Sequence, residues 1–161
     1  MTFFLAAVFS VTGCVDAPLE PERNKNVILF LGDGMGVSTV TAARIFEGQL
    51  MGGSGEENFL SFEEFPHVAL IKTYNVDGQV PDSAGTMTAI MTGKKARLGA
   101  ISVGPAADRD DCEAGLTHSL PTLLEELEDK GYRTGIISTA RITHATPAAT
   151  YAHSPDRNWE A

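Results

Sequence analysis

The sequence predicts an α/β fold built on a doubly wound, mainly parallel sheet. Three observations carry this. Val27-Ile28-Leu29-Phe30-Leu31 is apolar at every position, as a strand buried on both faces must be. It runs into Gly32-Asp33-Gly34-Met35-Gly36, a tight turn, and then into a helix-compatible stretch at 38–47. The alternation continues along the chain, with strands expected at 68–74, 101–103 and 133–139 and helices opening near Ser83, Thr122 and Pro147.

The chain has 161 residues, enough for one domain with a real core. Hydrophobic residues make up 43% and charged residues 20%, the balance of a globular protein. Twelve basic and 21 acidic residues give a net charge of −9, which argues against the nucleic-acid backbone as a partner. A small phosphate ester stays compatible, because bound metal ions and one arginine can invert the local field. No segment is long and apolar enough to span a membrane as a helix.

Residues 1–13 read as an export signal, and 14–26, polar with two prolines, as a linker. Val11-Thr12-Gly13-Cys14 resembles a bacterial lipoprotein signal, which makes Cys14 the candidate for lipidation. The run before it lacks Lys and Arg, so an ordinary secretory signal remains the alternative. Either way the protein is expected to be exported, periplasmic or anchored to a membrane through lipidated Cys14. With Cys14 acylated, Cys112 has no disulfide partner within this sequence.

Asp33 sits among three glycines at the end of the first strand. A dinucleotide-binding loop would need a third glycine where Val37 stands, and an acid there repels pyrophosphate. An Asx turn is the structural alternative. A metal ligand is the favoured one, since a cation turns that repulsion into attraction. Residues 49–57 read as a surface loop. The amphipathic segment 58–66 is expected to pack Phe59, Leu60, Phe62 and Phe65 into the core. Lys94, Lys95 and Arg97 lie where cations suit a helix C-terminus. Residues 105–117 read as acidic and irregular. Thr122 and Glu125 form a capping-box pattern, and Lys130-Gly131 closes that helix.

The stretch Pro81-Asp82-Ser83-Ala84-Gly85 opens a helix that should end at Gly93. Ser83 therefore lies at a helix N-terminus, where free N–H groups and the macrodipole favour anions. Asp82 and Ser83 are both good N-caps, so capping and nucleophile remain open for Ser83. In a parallel sheet, Asp33, Ser83, His144 and Thr146 converge on one edge. A carboxylate, two hydroxyls and an imidazole outline a metal-assisted nucleophile site. The G-x-S-x-G alternative is absent. His67, His118 and His153 read as packing or surface residues, with His153 in a helix.

Segments 27–36, 81–93 and 139–159 together resemble the alkaline phosphatase family. The resemblance covers nearly everything after the linker, and residues 27–161 become the N-terminal part of such a catalytic domain. It implies a three-layer sheet with helices on both faces, cut short at its C-terminal end. It implies two Zn²⁺ and one Mg²⁺ and hydrolysis of phosphomonoesters. Asp33 would bridge a zinc and the magnesium, and Ser83 would be the zinc-stabilised nucleophile that becomes phosphoserine. Thr146 would lie at the magnesium site, and Arg157 would grip two phosphate oxygens with its planar fork. At His144 the family carries aspartate or histidine. Histidine should weaken the hold on magnesium, unless it bonds a metal-bound water instead. A homodimer is also implied. The other metal ligands would lie later in a longer chain, so these 161 residues alone are expected to be inactive. A related phosphodiesterase, sulfatase or phosphomutase, a metal- or phosphate-binding surface lipoprotein without turnover, and a nucleotide-binding oxidoreductase are the competing functions.

Overall fold

A computed structural model of the chain describes residues 26–160. The expected signal and most of the linker, with Cys14, lie outside the described residues. The described part falls into two units, which divide between Leu31 and Gly32. Of the first, residues 26–31 are exposed and without regular structure.

The second unit contains five helices among the described residues: α1 (Val37–Leu50), α2 (Ser83–Thr92), α3 (Cys112–Thr117), α4 (Leu123–Asp129) and α5 (Ala145–Ala148). The helix starts follow the sequence closely. Thr122 caps α4 through a reciprocal capping box with Glu125. Gly93 ends α2 in the left-handed conformation, φ 70°. Helix α3 falls in the stretch expected to be irregular, where Asp111 accepts from Ala114 N and nucleates it.

The core forms around α2. Ala84, Met87, Thr88 and Met91 are buried, an i, i+3, i+4, i+7 stripe down one face. That face packs against α5 and α4, meeting Ile101, Ala145, Ala148, Ala149 and Leu124. The alanines on both sides of the α2–α5 contact let the two helices pack closely. Thr88 is fully buried and satisfied: its Oγ1 donates to Ala100 O at 3.1 Å and accepts from Ser102 N at 2.8 Å. Ser102, at φ 47°, donates from its hydroxyl to Ala149 O, which locks α5 to the same loop. A second small cluster holds Ala96, Ala100, Val103 and Ala107.

Several expectations fail here. Among the described residues no stretch forms a strand with a ladder neighbour. Residues 27–31, 68–74 and 133–139 have no regular structure and are largely exposed. A strand exists only through its hydrogen-bonded partner, and among the described residues these segments have none. Residues 101–103 do pair, but as isolated antiparallel bridges, Ile101 with Ser154 and Val103 with Ser119. The 58–66 segment is a short 3₁₀ turn, Ser61–Glu64, with Phe59, Phe62 and Phe65 exposed rather than in the core. Lys95 does more than suit a helix end: its ammonium donates to Lys72 O and Tyr74 O and lies 3.9 Å from the Tyr74 ring centre. His153 is not in a helix. Its ring spans from Ser102 O to Glu125 Oε1, tying the chain after α5 to the start of α4.

Loop 105–111 is tied to residue 156 by a forked ion pair between Arg109 and buried Asp156. The hydrogen bonds from Arg109 hold the Asp156 carboxyl at about 2, against an ordinary 3.8. A depressed carboxyl stabilises the fold fully above its unfolded value and loses that contribution as pH falls through its folded value. Acid titration should therefore find Asp156→Asn less stable than the parent by about 1–3 kcal/mol at neutral pH, the cost of a broken charged hydrogen-bond set. The gap should close as pH falls through about 2. A gap independent of pH would contradict this.

Candidate active site

Asp82 settles what Ser83 is free to do. Asp82 is the N-cap of α2, in extended conformation, and its Oδ1 accepts from Gly85 N at 3.0 Å. Ser83 is thus the first helical residue, and its hydroxyl is not used for capping. Instead Ser83 Oγ accepts from Arg157 NH1 at 3.1 Å. The hydroxyl sits at the positive end of the helix with a guanidinium beside it.

The same Asp82 carboxylate orients that guanidinium. Its Oδ2 accepts from Arg157 NH1 at 3.1 Å and from Gly99 N at 2.9 Å. Its Oδ1 accepts, besides Gly85, from Nδ2 of buried Asn75 at 2.9 Å. Gly85 permits this approach, since a Cβ there would lie 2.7 Å from Asn75 Nδ2. Burial is the largest single influence on Asp82 and pushes its carboxyl up. The bonds from Gly85, Asn75, Arg157 and Gly99 together outweigh it and hold the carboxyl below its ordinary value. Arg157 is anchored at its main chain too, donating to Gly99 O at 2.8 Å.

Asp33 and Thr146 meet across the chain, Thr146 Oγ1 donating to Asp33 Oδ2 at 2.7 Å. Thr146 lies in the first turn of α5, and His144 is the residue before that helix. His144 Nδ1 stands 4.0 Å from the same Asp33 oxygen, while Nε2 lies 3.4 Å from Arg157 NH2. The structure thus gathers all five expected residues, Asp33, Ser83, His144, Thr146 and Arg157, into one connected set. His144 Nδ1 is buried and has no hydrogen-bond partner. An orphaned imidazole nitrogen beside a carboxylate and a hydroxyl is a donor set that fits a divalent cation. Among the described residues no group of three or more His, Cys, Asp or Glu could hold a metal, so these supply only part of a coordination shell. The open hollow of about 350 Å³ beside the end of α1, lined by Gly48, Met51 and Asn58 among others, carries none of these groups.

Sequence reasoning missed Asn75 and Gly99. Asn75 is one polar residue in an unremarkable loop, and nothing local marks it. Gly99 shows only as a glycine, here at φ 80°.

The chain matches the family model for alkaline phosphatase over residues 24–161. It is 54% identical over 135 residues to the tissue-nonspecific alkaline phosphatase of Gallus gallus, covering 84% of this chain and 26% of that one. Among solved structures it resembles alkaline phosphatase from the Antarctic bacterium TAB5, with TM-score 0.62 and 29% identity over 78% of this chain and 31% of the other. It is also similar to a histidine-to-aspartate mutant of that enzyme with Mg bound in its M3 site, at TM-score 0.57 and 26% identity, covering 74% of this chain and 30% of the mutant. The fold is alkaline-phosphatase-like, and the chain belongs to the alkaline phosphatase family. It spans about a quarter of the length of the curated relatives it matches.

The Asp82 geometry gives a direct test. Asp82→Asn keeps the shape but puts an amide N–H₂ opposite donors at one of its two oxygen positions. It should cost about 1–3 kcal/mol in urea unfolding, no less than Asp82→Ala, because facing donors are left unmatched. An Asp82→Asn protein as stable as the parent would show that the carboxylate is not what holds these donors.

Proposed function

We propose that the protein carrying this chain hydrolyses phosphomonoesters through a phosphoserine on Ser83, releasing inorganic phosphate. The observation that supports it most is the Ser83 hydroxyl, freed from capping by Asp82 and 3.1 Å from the Arg157 guanidinium. Family membership supports the reaction class.

In this reading Arg157 turns its fork to two phosphate oxygens and holds the phosphorus over Ser83 Oγ. Ser83 Oγ attacks in line and gives up its hydroxyl proton, the bond from phosphorus to the ester oxygen breaks, and the alcohol departs carrying a proton in exchange, so that the step is proton-neutral. Water then attacks the phosphorus, the bond to Ser83 Oγ breaks, and phosphate leaves. Asp82 keeps the Arg157 plane fixed through both steps. Its negative charge, already matched by four donors, does not compete for the phosphate site.

The resemblance calls for two Zn²⁺ and one Mg²⁺. When bound, such cations supply the charge that makes a serine hydroxyl nucleophilic and neutralises the leaving oxygen. Asp33, Thr146 and His144 would hold the magnesium side, and Asp33 and Ser83 would contribute to zinc. A catalytic zinc takes three protein ligands, so residues outside this chain would complete both sites. By the same reading, the segments at 27–31, 68–74 and 133–139 are strands of a three-layer, mainly parallel sheet in the whole protein. The export signal, lipidation at Cys14 and a homodimer belong to the same proposal and rest on the sequence alone.

The full-length protein, incubated with zinc, magnesium and a ³²P-labelled phosphomonoester at mildly acidic pH, should carry label on Ser83 after quenching. Ser83→Ala should carry none. Turnover without label would mean direct attack by water and would return Ser83 to a helix-terminal role. A second expectation concerns His144. Imidazole is a poorer magnesium ligand than carboxylate, so His144→Asp should bind Mg²⁺ more tightly by titration calorimetry, by about tenfold or more. Unchanged Mg²⁺ affinity would place His144 outside the coordination shell.

A further inference from the structure

The segment that presents Arg157 is held by a residue far away in sequence. Arg109 donates from Nε to Asp156 Oδ2 at 2.7 Å and from NH2 to Asp156 Oδ1 at 3.0 Å, two parallel bonds from one fork. Asp156 is 4% exposed, so this pair is largely withdrawn from solvent. The same carboxylate accepts from Asn158 N at 2.7 Å. Ser154 Oγ donates to Asp156 O at 2.7 Å. The turn around Arg157 is therefore pinned at Asp156, through its main-chain oxygen and through the carboxylate that Arg109 holds.

Arg109 also touches the other anchor of Arg157. A Cβ on Gly99 would lie 2.8 Å from Arg109 Nε and 2.9 Å from its Cζ, so the guanidinium packs closely against that glycine. Gly99 O takes the Arg157 N–H, and Gly99 N donates to Asp82, the carboxylate that orients the Arg157 side chain. Arg109 thus lies against both Asp156, next to Arg157, and Gly99, which takes the Arg157 main-chain N–H. None of the hydrogen bonds of Arg109 reaches Ser83, Asp33, His144 or Thr146.

We propose that Arg109 is a positioning residue for Arg157, acting through the Asp156 turn and the Gly99 backbone. This rests on the reading of Arg157 as the group that grips phosphate. Arg109 sets the angle at which the Arg157 fork meets the anion. The Asp156 carboxyl, held at about 2 chiefly by its hydrogen bonds from Arg109, keeps the clamp charged at neutral pH. Lysine keeps the charge at position 109 but has no planar fork, so it cannot make both parallel bonds to Asp156.

The test is a mutant cycle on the full-length protein, reading the inhibition constant of inorganic phosphate alongside KM and kcat for p-nitrophenyl phosphate. Arg109→Ala should raise the phosphate constant about tenfold with Arg157 present, the size of effect a misaligned binding group produces. In an Arg157→Ala background the same change should have less than about a twofold effect, because the residue it acts through is gone. Arg109→Lys, which keeps the charge and guards against a folding defect, should move the constant in the same direction. A parental phosphate constant in both Arg109 variants overturns the proposal, as does an equal factor in the two backgrounds. If the parent protein binds no phosphate at all, the functional reading fails. The side-chain NMR signal of Arg157 Nε–H then decides: lost order in Arg109→Lys supports the clamp, and unchanged order overturns it.

Discussion

The carboxylate of Asp82 takes four hydrogen-bond donors, two from nearby, Asn75 and Gly85, and two from farther along the chain, Gly99 and Arg157. Half-buried and negative, it would be costly without them. With them it does three things at once. It caps α2, it fixes the loop through Gly99, and it turns Arg157 toward Ser83. The consequence for chemistry is indirect but large. A serine at a helix start is ordinarily spent on capping. Here the residue before it takes that duty, so a hydroxyl is left at the positive end of a helix with a guanidinium for company.

The second half of the site depends on packing rather than charge. Ala84 on α2 and Ala145, Ala148 and Ala149 at α5 form a contact thin enough to bring His144 and Thr146 close to Ser83 and Arg157. Larger side chains there would push α5 outward and separate the two halves. Buried Thr88 and Ser102 make that contact rigid through bonds to Ala100, Ala149 and each other. Helix α5 has four residues and little stability of its own, so its place is given by these tertiary bonds. The orphaned His144 nitrogen is consistent with such a frame: packing holds the ring where its local hydrogen bonding alone would not.

Much of the site was legible because its residues come with local signatures. Asp33 stands in a glycine turn, Ser83 at a helix start, and His144 and Thr146 just before a proline. Helix ends were legible for the same reason, as at Thr122 and Gly93. What the sequence hid is non-local. Asn75 and Gly99 matter only through partners many residues away, and the forked pair of Arg109 and Asp156 spans 47 positions. Strand pairing is hidden for a related physical cause. An apolar run such as 27–31 records the burial it is suited to. The pairing that would make it a strand is a property of its neighbours.

The central claim is that Asp82 does the capping and Ser83 does the chemistry. A crystal structure of the full-length protein with bound orthovanadate tests it most directly. The account predicts a vanadium atom bonded to Ser83 Oγ, the Arg157 fork on two vanadate oxygens, and Asp82 Oδ1 still accepting from Gly85 N. Vanadate bound elsewhere, with the Ser83 hydroxyl turned back onto the N–H groups of the first turn of α2, would contradict it.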